Sequence, residues 1–373
     1  MRNLLFSPLC IMLIAMAGCG ASKHVNRRLG TLETPPIVGG RDLRCFSASS
    51  NTFDGRLNLL YEKKLKGSAD NPIQYAGPVL AFKSTHNRVL IIDPARGERI
   101  AQIKKRRGII LDPVIKDSLL VLVNKSPFGE IEVINLYTGK TISKRRINDI
   151  RSGPIIIGDR LVFGTTEGVR ALALPDLGDQ WSTGPKEMVC TAPVSKGELI
   201  YYTAGEGVVR AVASDDGFLI WESDFGAAVV SDLSAGKRLY FGLADGRIIS
   251  ADLETGETIW DHAFGYPVKG GVAESGEYVY TGCTDGSLYC LSMTDGRVIW
   301  RFETKGVITA APIVYEGTVL IGSLDRYLYS VDKTTGRLID SRKLEGPITF
   351  EAAVDEHRIF VTCRKARLYC FEG

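Results

Sequence analysis

The sequence is poor in histidine and tryptophan and has almost no net charge. His24, His86, His262 and His357 stand far apart, none at metal-ligand spacing. They read as solvated or turn residues, and no metal site is expected. Formal charge is +3 over 373 residues, and +2 once Arg2 is set aside with residues 1–18. That is too near neutral for a bulk nucleic-acid binder, whose affinity comes largely from phosphate neutralisation. No glycine-rich loop follows a strand and opens a helix, so the glycines are turn glycines rather than a phosphate cradle. Helical periodicity does not persist past the first residues. No catalytic constellation is identified.

What is present begins with "MRNLLFSPLCIMLIAMAGCGAS". A basic residue, an apolar run and small residues before a cysteine make a secretory signal, too short and wrongly flanked for a membrane span. Met16-Ala17-Gly18-Cys19 resembles the lipobox of bacterial lipoproteins. The resemblance implies a signal peptide at 1–18, cleavage before Cys19, and acylation of Cys19 as an anchor in membrane lipid. Gly20 rather than Asp implies delivery to the outer membrane. The alternative is an ordinary signal peptide with an incidental cysteine.

Repeats organise the rest. A turn glycine precedes an amphipathic strand at Gly55, Gly97, Gly139, Gly178, Gly217, Gly256, Gly296 and Gly336. The intervals are 42, 42, 39, 39, 39, 40 and 40. All four tryptophans follow these glycines, Trp221, Trp260 and Trp300 at plus four and Trp181 at plus three. They are expected to pack between repeats rather than form a ligand cage. A second anchor, often small-Pro-aliphatic, recurs at Pro78, Pro113, Pro154, Pro193 and Pro312, with weaker forms at Leu233, Val272 and Val354. Each repeat reads as four short strands rich in β-branched and aromatic residues, parted by Gly, Asp, Ser and Thr. The expected fold is all-β: an eight-bladed β-propeller of four-stranded antiparallel blades over 54–373.

A propeller must close. The last repeat holds "GPITFEAAV", "RIFVTC" and "RLYCFEG", three strands, while "DGRLNLLYEKKL" at 54–65 parallels the fourth-strand segment "DGRVIWRFETK" at 295–305. The N-terminal strand is therefore expected to complete the C-terminal blade. "LRCFS" at 43–47 competes for the third-strand slot; 367–371 should win, because it continues directly from its hairpin. Residues 19–53 are then a lipidated tether with little regular structure.

The repeats "GSLYCLSMTDGRVIW" and "GRIISADLETGETIW" resemble the PQQ-type propeller repeat. With the lipobox, residues 54–373 resemble the BamB-like outer-membrane protein assembly lipoproteins. That resemblance implies a non-catalytic scaffold without a cofactor, facing the periplasm, whose partner is the barrel-assembly subunit of the outer membrane. It also implies a contact through an aliphatic-Arg pair before a small-Pro anchor, here Ile150-Arg151. The same repeat serves quinoprotein dehydrogenases, so fold alone does not decide function. Many of those enzymes carry a vicinal Cys-Cys, which this chain lacks. The alternatives are another ligand- or cell-wall-binding propeller lipoprotein and a PQQ-dependent enzyme.

An exported protein can form disulfides. Cys283–Cys290 and Cys363–Cys370 are the candidates, and register decides. A two-residue Asp285-Gly286 turn leaves Cys290 diagonal to Cys283, at the limit of disulfide reach. A three-residue loop puts the two on opposite faces. A Gly286-Ser287 turn places them opposite one another. Ala211, Ser250 and Ser330 occupy the Cys290 slot elsewhere, so the alternative is a slot that only requires a small residue.

Charge is unevenly placed. Three successive blade connectors are basic: Lys63, Lys64 and Lys66; Lys104, Lys105, Arg106 and Arg107; Lys144, Arg145 and Arg146, with Arg151 just beyond. Later connectors are acidic or mixed. The three should merge into one positive arc able to dock an acidic surface or lipid headgroups, unless they serve only solubility. Reversing Lys105, Arg106 and Arg145 is expected to leave stability nearly unchanged.

Overall fold

A computed structural model describes residues 45–46, 53–76, 79–125, 129–184, 188–355 and 357–372. The signal peptide, Cys19 and most of the tether lie outside the described residues.

Eight four-stranded antiparallel blades form the propeller expected from the repeats. Blade 1 runs from Gln74 to Lys104, blade 2 from Val114 to Arg146, blade 3 from Ile155 to Ser182 and blade 4 from Val194 to Asp224. Blade 5 runs from Ser234 to Ala263, blade 6 from Val272 to Glu303 and blade 7 from Ile313 to Lys343. Blade 8 takes Ala353–Val354, Arg358–Cys363 and Arg367–Glu372 from the C-terminal region and Leu59–Lys64 as its outer strand. The closure is antiparallel: Tyr61 pairs with Cys370 and Lys64 with Arg367. Pro113, Pro154, Pro193 and Pro312 lead directly into inner strands, since proline fits where no ladder N–H is required. In blade 1 the inner strand Gln74–Ala76 lies before position 78, and Pro72 rather than the expected Pro78 leads into it.

Each blade is too thin to bury its own faces, so apolar side chains meet in the seams. Eight buried clusters result, one per seam. Every outer strand carries a β-bulge where it meets the third strand. The bulge twists the free edge and blunts it against edge-to-edge pairing. Its extra residue is exposed in seven blades, which accounts for exposed Leu60, Ile142, Ile220, Ile259, Ile299 and Ile339, whereas in blade 1 the bulged Ile100 is buried.

The tryptophans do pack between blades. Trp181, Trp221, Trp260 and Trp300 each stack on the turn glycine of the next blade, Gly217, Gly256, Gly296 and Gly336. Those glycines have φ of +71 to +74°, and a β-carbon there would come within 2.5–2.6 Å of the indole. Conformation and close approach thus both require glycine. Each indole Nε1–H also donates to a backbone carbonyl of that same turn, at 2.7–3.2 Å.

Two expectations are corrected. The tether is not wholly irregular: Cys45–Phe46 pairs in parallel with Val314 and Tyr315, extending the inner edge of blade 7. "LRCFS" therefore does not compete for blade 8, and 367–372 holds the third-strand slot. The hairpin disulfides are also not formed. Gly282 pairs with Leu288 and Cys283 N–H bonds to Ser287 O, which leaves a three-residue loop. Cys283 then faces the seam between blades 5 and 6, and Cys290 the seam between blades 6 and 7. Cys363 and Cys370, with Cys363 paired to Arg367, divide in the same way. All four are free buried thiols. Burial pushes the thiols of Cys283 and Cys370 up to about 11 and that of Cys290 to about 12. Such thiols stay protonated and unreactive at neutral pH. Cys290 and Cys370 sit in the small-residue slot facing the outer strand, alongside Ala211, Ser250 and Ser330.

Candidate partner interface

The outer strand of one blade crosses to the next blade on the same rim as the tips of the central hairpins. Hydrogen bonds join the two loop types there, as in Lys105 N–H to Asn87 O and Leu65 N–H to Ala366 O. This rim carries the basic connectors, and the structure sorts their residues into two groups.

The first group is held by the protein itself. Glu132, on the third strand of blade 2, is 2% exposed and gathers Lys105 from blade 1, Lys144 at 3.3 Å, Thr141 Oγ1 at 2.7 Å and Asn124 Nδ2 at 2.9 Å. Burial pushes the Glu132 carboxyl up, but hydrogen bonds from Lys105, Thr141 and Asn124 outweigh it and hold the group at about 2. Arg145 reaches across to blade 3, donating to Leu177 O at 2.6 Å and to Asp179 at 2.5 Å. Arg145 beside Asp179 holds that carboxyl below its ordinary value. Lys105 and Arg145 therefore tie neighbouring blades, while exposed Lys144 pairs within blade 2, and reversing Lys105 or Arg145 cannot be neutral for stability. Ile150 is likewise buried in the seam between blades 2 and 3, so it cannot offer a contact surface.

The second group is free. Lys64, Lys66, Lys104, Arg106, Arg107, Arg146 and Arg151 are exposed and have no carboxylate partner among the described residues. Lys63 is half-buried against the turn at Gly97. The hairpin tips extend the arc with exposed Arg364 and Lys365 on blade 8, His86 on blade 1 and Lys125 on blade 2. Reading connectors alone misses these residues, because the tips belong to a different loop that converges on the same rim only in three dimensions. A matched count of charge at both loop types would have found them.

Across the ring the sign reverses. The tips of blades 3 to 5 carry exposed Glu167, Glu206 and Asp245, and those of blades 6 and 7 carry Asp285 and Asp325. Asp285 and Asp325 each accept a tyrosine hydroxyl, from Tyr289 at 2.6 Å and Tyr329 at 2.7 Å. The rim thus has a basic sector over blades 8, 1 and 2 and acidic tips over blades 3 to 7, of which Asp245 is paired with Arg247 and Asp285 with Arg301.

Inside the rim, the channel mouth forms a depression of about 400 Å³ lined by Ile110, Asp112, Cys190, Val230, Asp232 and Lys269. Ile110, Arg151, Cys190 and Val230 occupy equivalent connector positions, each following an aliphatic residue bridged to the hairpin. Arg151 is the basic residue at this connector position, while Gly153 from the same connector lines the depression. Burial, with Glu206 beside it, raises the Cys190 thiol above its ordinary value. Among the described residues no group of three or more His, Cys, Asp and Glu side chains could hold a metal ion.

Fold and surface define a PQQ-repeat β-propeller with a charged rim. The family described as outer membrane protein assembly factor BamB matches residues 127–267 and 244–345, more than half of the chain, and the chain belongs to that family. No curated protein matches it. Among solved structures it is similar to BamB from Moraxella catarrhalis, at 15% identity and TM-score 0.70, over 85% of this chain and 100% of that one. It is also similar to a computationally designed protein, Ika8, at 17% identity and TM-score 0.72, over 83% and 98% of the two chains. A europium-containing methanol dehydrogenase matches at 13% identity and TM-score 0.72, over 89% and 96%. At such identities the structural likenesses establish the fold alone.

Proposed function

We propose that the protein is a non-catalytic lipoprotein scaffold of the outer-membrane β-barrel assembly machinery. Residues 1–18 direct export, acylated Cys19 anchors the chain in the outer membrane, 19–53 tether it, and 54–373 present the propeller to the periplasm. Family membership supports the assembly role. The observation that carries the docking surface is the basic sector of Lys64, Lys66, Lys104, Arg106, Arg107, Arg146 and Arg151. Its charges meet no carboxylate among the described residues, whereas Lys105, Lys144 and Arg145 nearby do. Unpaired charge concentrated on one sector steers association with an acidic partner surface and is screened by salt.

Affinity purification of the tagged full chain from detergent-solubilised membranes tests this reading. The barrel-forming subunit should co-purify, and the yield should fall when Arg106, Arg107 and Arg146 are changed to Glu. Purification without any barrel-assembly subunit would overturn the assignment. Cys19→Ser should move the chain from the membrane fraction to the soluble fraction. Quinone-dependent dye reduction by the wild-type protein would favour an enzyme instead.

A further inference from the structure

The seam between blades 7 and 8 is built differently from its neighbours. Seams 4–5, 5–6 and 6–7 are filled by the slot tryptophan and by a phenylalanine two or four residues later. Phe225 meets Phe241 at 4.8 Å, Phe264 meets Tyr289 at 4.3 Å, and Phe302 meets Tyr329 at 5.3 Å. In blade 7 the slot holds Asp340, and the following positions hold Arg342 and Leu344. No aromatic side chain from the outer strand of blade 7 fills the seam, and a groove of about 670 Å³ lies there. Leu344, Tyr369 and Phe371 form its floor, and Leu59, 51% exposed, forms part of one wall.

The groove is bordered by Arg326, Arg342, Lys343 and Lys365. Its two carboxylates, Glu62 and Glu345, are both held by Arg367, at 2.8 and 2.7 Å. Arg342 is tied to Leu57 O at 2.7 Å. Arg326, Lys343 and Lys365 have no carboxylate partner among the described residues, although Lys343 lies over the Tyr327 ring at 5.8 Å. The cations are spread along the walls rather than converging on one point. The walls include the outer strands Leu338–Lys343 and Leu59–Lys64, both sheet edges. Away from their bulges at Leu60 and Ile339, these edges still offer backbone hydrogen bonds to a short extended chain, which a lipid cannot use.

We propose that this groove binds an extended acidic peptide segment. An apolar side chain enters beside Leu59, and flanking carboxylates meet Arg326, Lys343 and Lys365. The groove shares Lys365 with the blade 8 end of the basic sector, while Arg326 and Lys343 on blade 7 lie outside that sector and Arg106 and Arg107 do not line the groove.

The test is fluorescence anisotropy of the full chain with a short labelled peptide alternating leucine and aspartate, against the same peptide with lysine for aspartate. The acidic peptide should bind and the lysine peptide should not. Arg326→Glu with Lys365→Glu should raise Kd at least about tenfold; both residues are exposed at hairpin tips, so the fold should be kept. Arg106→Glu with Arg107→Glu should leave Kd unchanged. The proposal is overturned if the acidic peptide fails to bind wild-type protein, if the lysine peptide binds equally, or if the Arg326/Lys365 reversal leaves Kd unchanged. It is also overturned if the loss follows Arg106 and Arg107, or if the groove variants lose binding to phosphatidylglycerol vesicles but not to the peptide.

Discussion

Blades 3 to 6 and blades 7, 8, 1 and 2 close equivalent seams with different chemistry. In blades 3 to 6 the outer-strand slot holds Trp181, Trp221, Trp260 and Trp300, each stacked on a glycine and bonded to a carbonyl of the next blade. In the other half the slot holds Asp340, Tyr61, Ala101 and Ser143. Asp340 accepts the Leu57 N–H at 2.9 Å, because the turn that a tryptophan would cover is here replaced by the incoming N-terminal segment. Tyr61 donates to Pro94 O at 2.7 Å, and its ring lies where a β-carbon on Gly97 would be. Seam 1–2 adds the Lys105–Glu132 pair, and seam 2–3 the bonds of Ser143 to Pro175 O and of Arg145 to Leu177 O. Apolar stacking is indifferent to pH and salt, whereas ionic ties are not. The tryptophan half also has carboxylate ties, Glu274 to Lys237 N–H and Asp325 to Lys305 N–H. Among the described residues, however, the side-chain ion pairs between blades lie at the other seams, so the half containing the chain closure is the one that solution conditions loosen more.

The largest expected effect is at the closure. Deleting 53–65 removes an outer strand together with buried Leu57 and Leu65 and the Tyr61 seam contact. Losing several large buried side chains at about 2–5 kcal/mol each should abolish the cooperative melt. Calorimetry showing an unchanged single transition would mean the ring does not depend on its latch.

Next comes the slot itself. Trp260→Ala should cost about 3–5 kcal/mol, since it opens a cavity and leaves the Met293 carbonyl without its indole donor. Tyr61→Ala should cost less, because the tyrosine is only half-buried, and Tyr61→Phe about 1 kcal/mol for its hydrogen bond. Urea melts of the three variants rank the halves directly. Equal losses for Trp260→Ala and Tyr61→Ala would erase the distinction.

The third prediction concerns pH. The folded Glu132 carboxyl sits at about 2, below its ordinary 4.5. A depressed carboxylate contributes stability that is present above the ordinary value and is lost as pH falls toward the folded one. Between those limits roughly 3 kcal/mol should disappear. Urea midpoints followed from about pH 6 down to about pH 2.5 should fall in wild type and fall less steeply in Glu132→Gln. Identical slopes would remove Glu132 from the account.

The repeat, the blade count and the closing strand were legible because turn glycines at 39–42-residue spacing mark the outer strands. The Cys45–Phe46 pairing was not, since two residues carry no periodic signal. The slot role of Tyr61 was hidden because it lies six residues after Gly55 rather than the four of Trp221, Trp260 and Trp300. The basic connectors were visible as a run, but a run does not say which cation turns inward. Lys105 and Arg106 are neighbours on one connector, yet Lys105 finds buried Glu132 and Arg106 stays in water. That division depends on the position of blade 2, which no local pattern encodes.

The smallest effect on stability should come from the free charges, and it sharpens the comparison most closely. Arg106→Glu with Arg107→Glu touches no ion pair among the described residues, so the melting temperature should move by about 1 °C or less. Lys105→Glu, one residue away, sets a second carboxylate against Glu132 and should cost about 3–5 kcal/mol. Comparable destabilisation by both would mean that the connector acts as one unit rather than as a structural lysine beside free arginines. A stable Arg106/Arg107 variant that no longer retains the barrel-forming subunit would place recognition in the half of the ring whose seams add ion pairs to their apolar clusters.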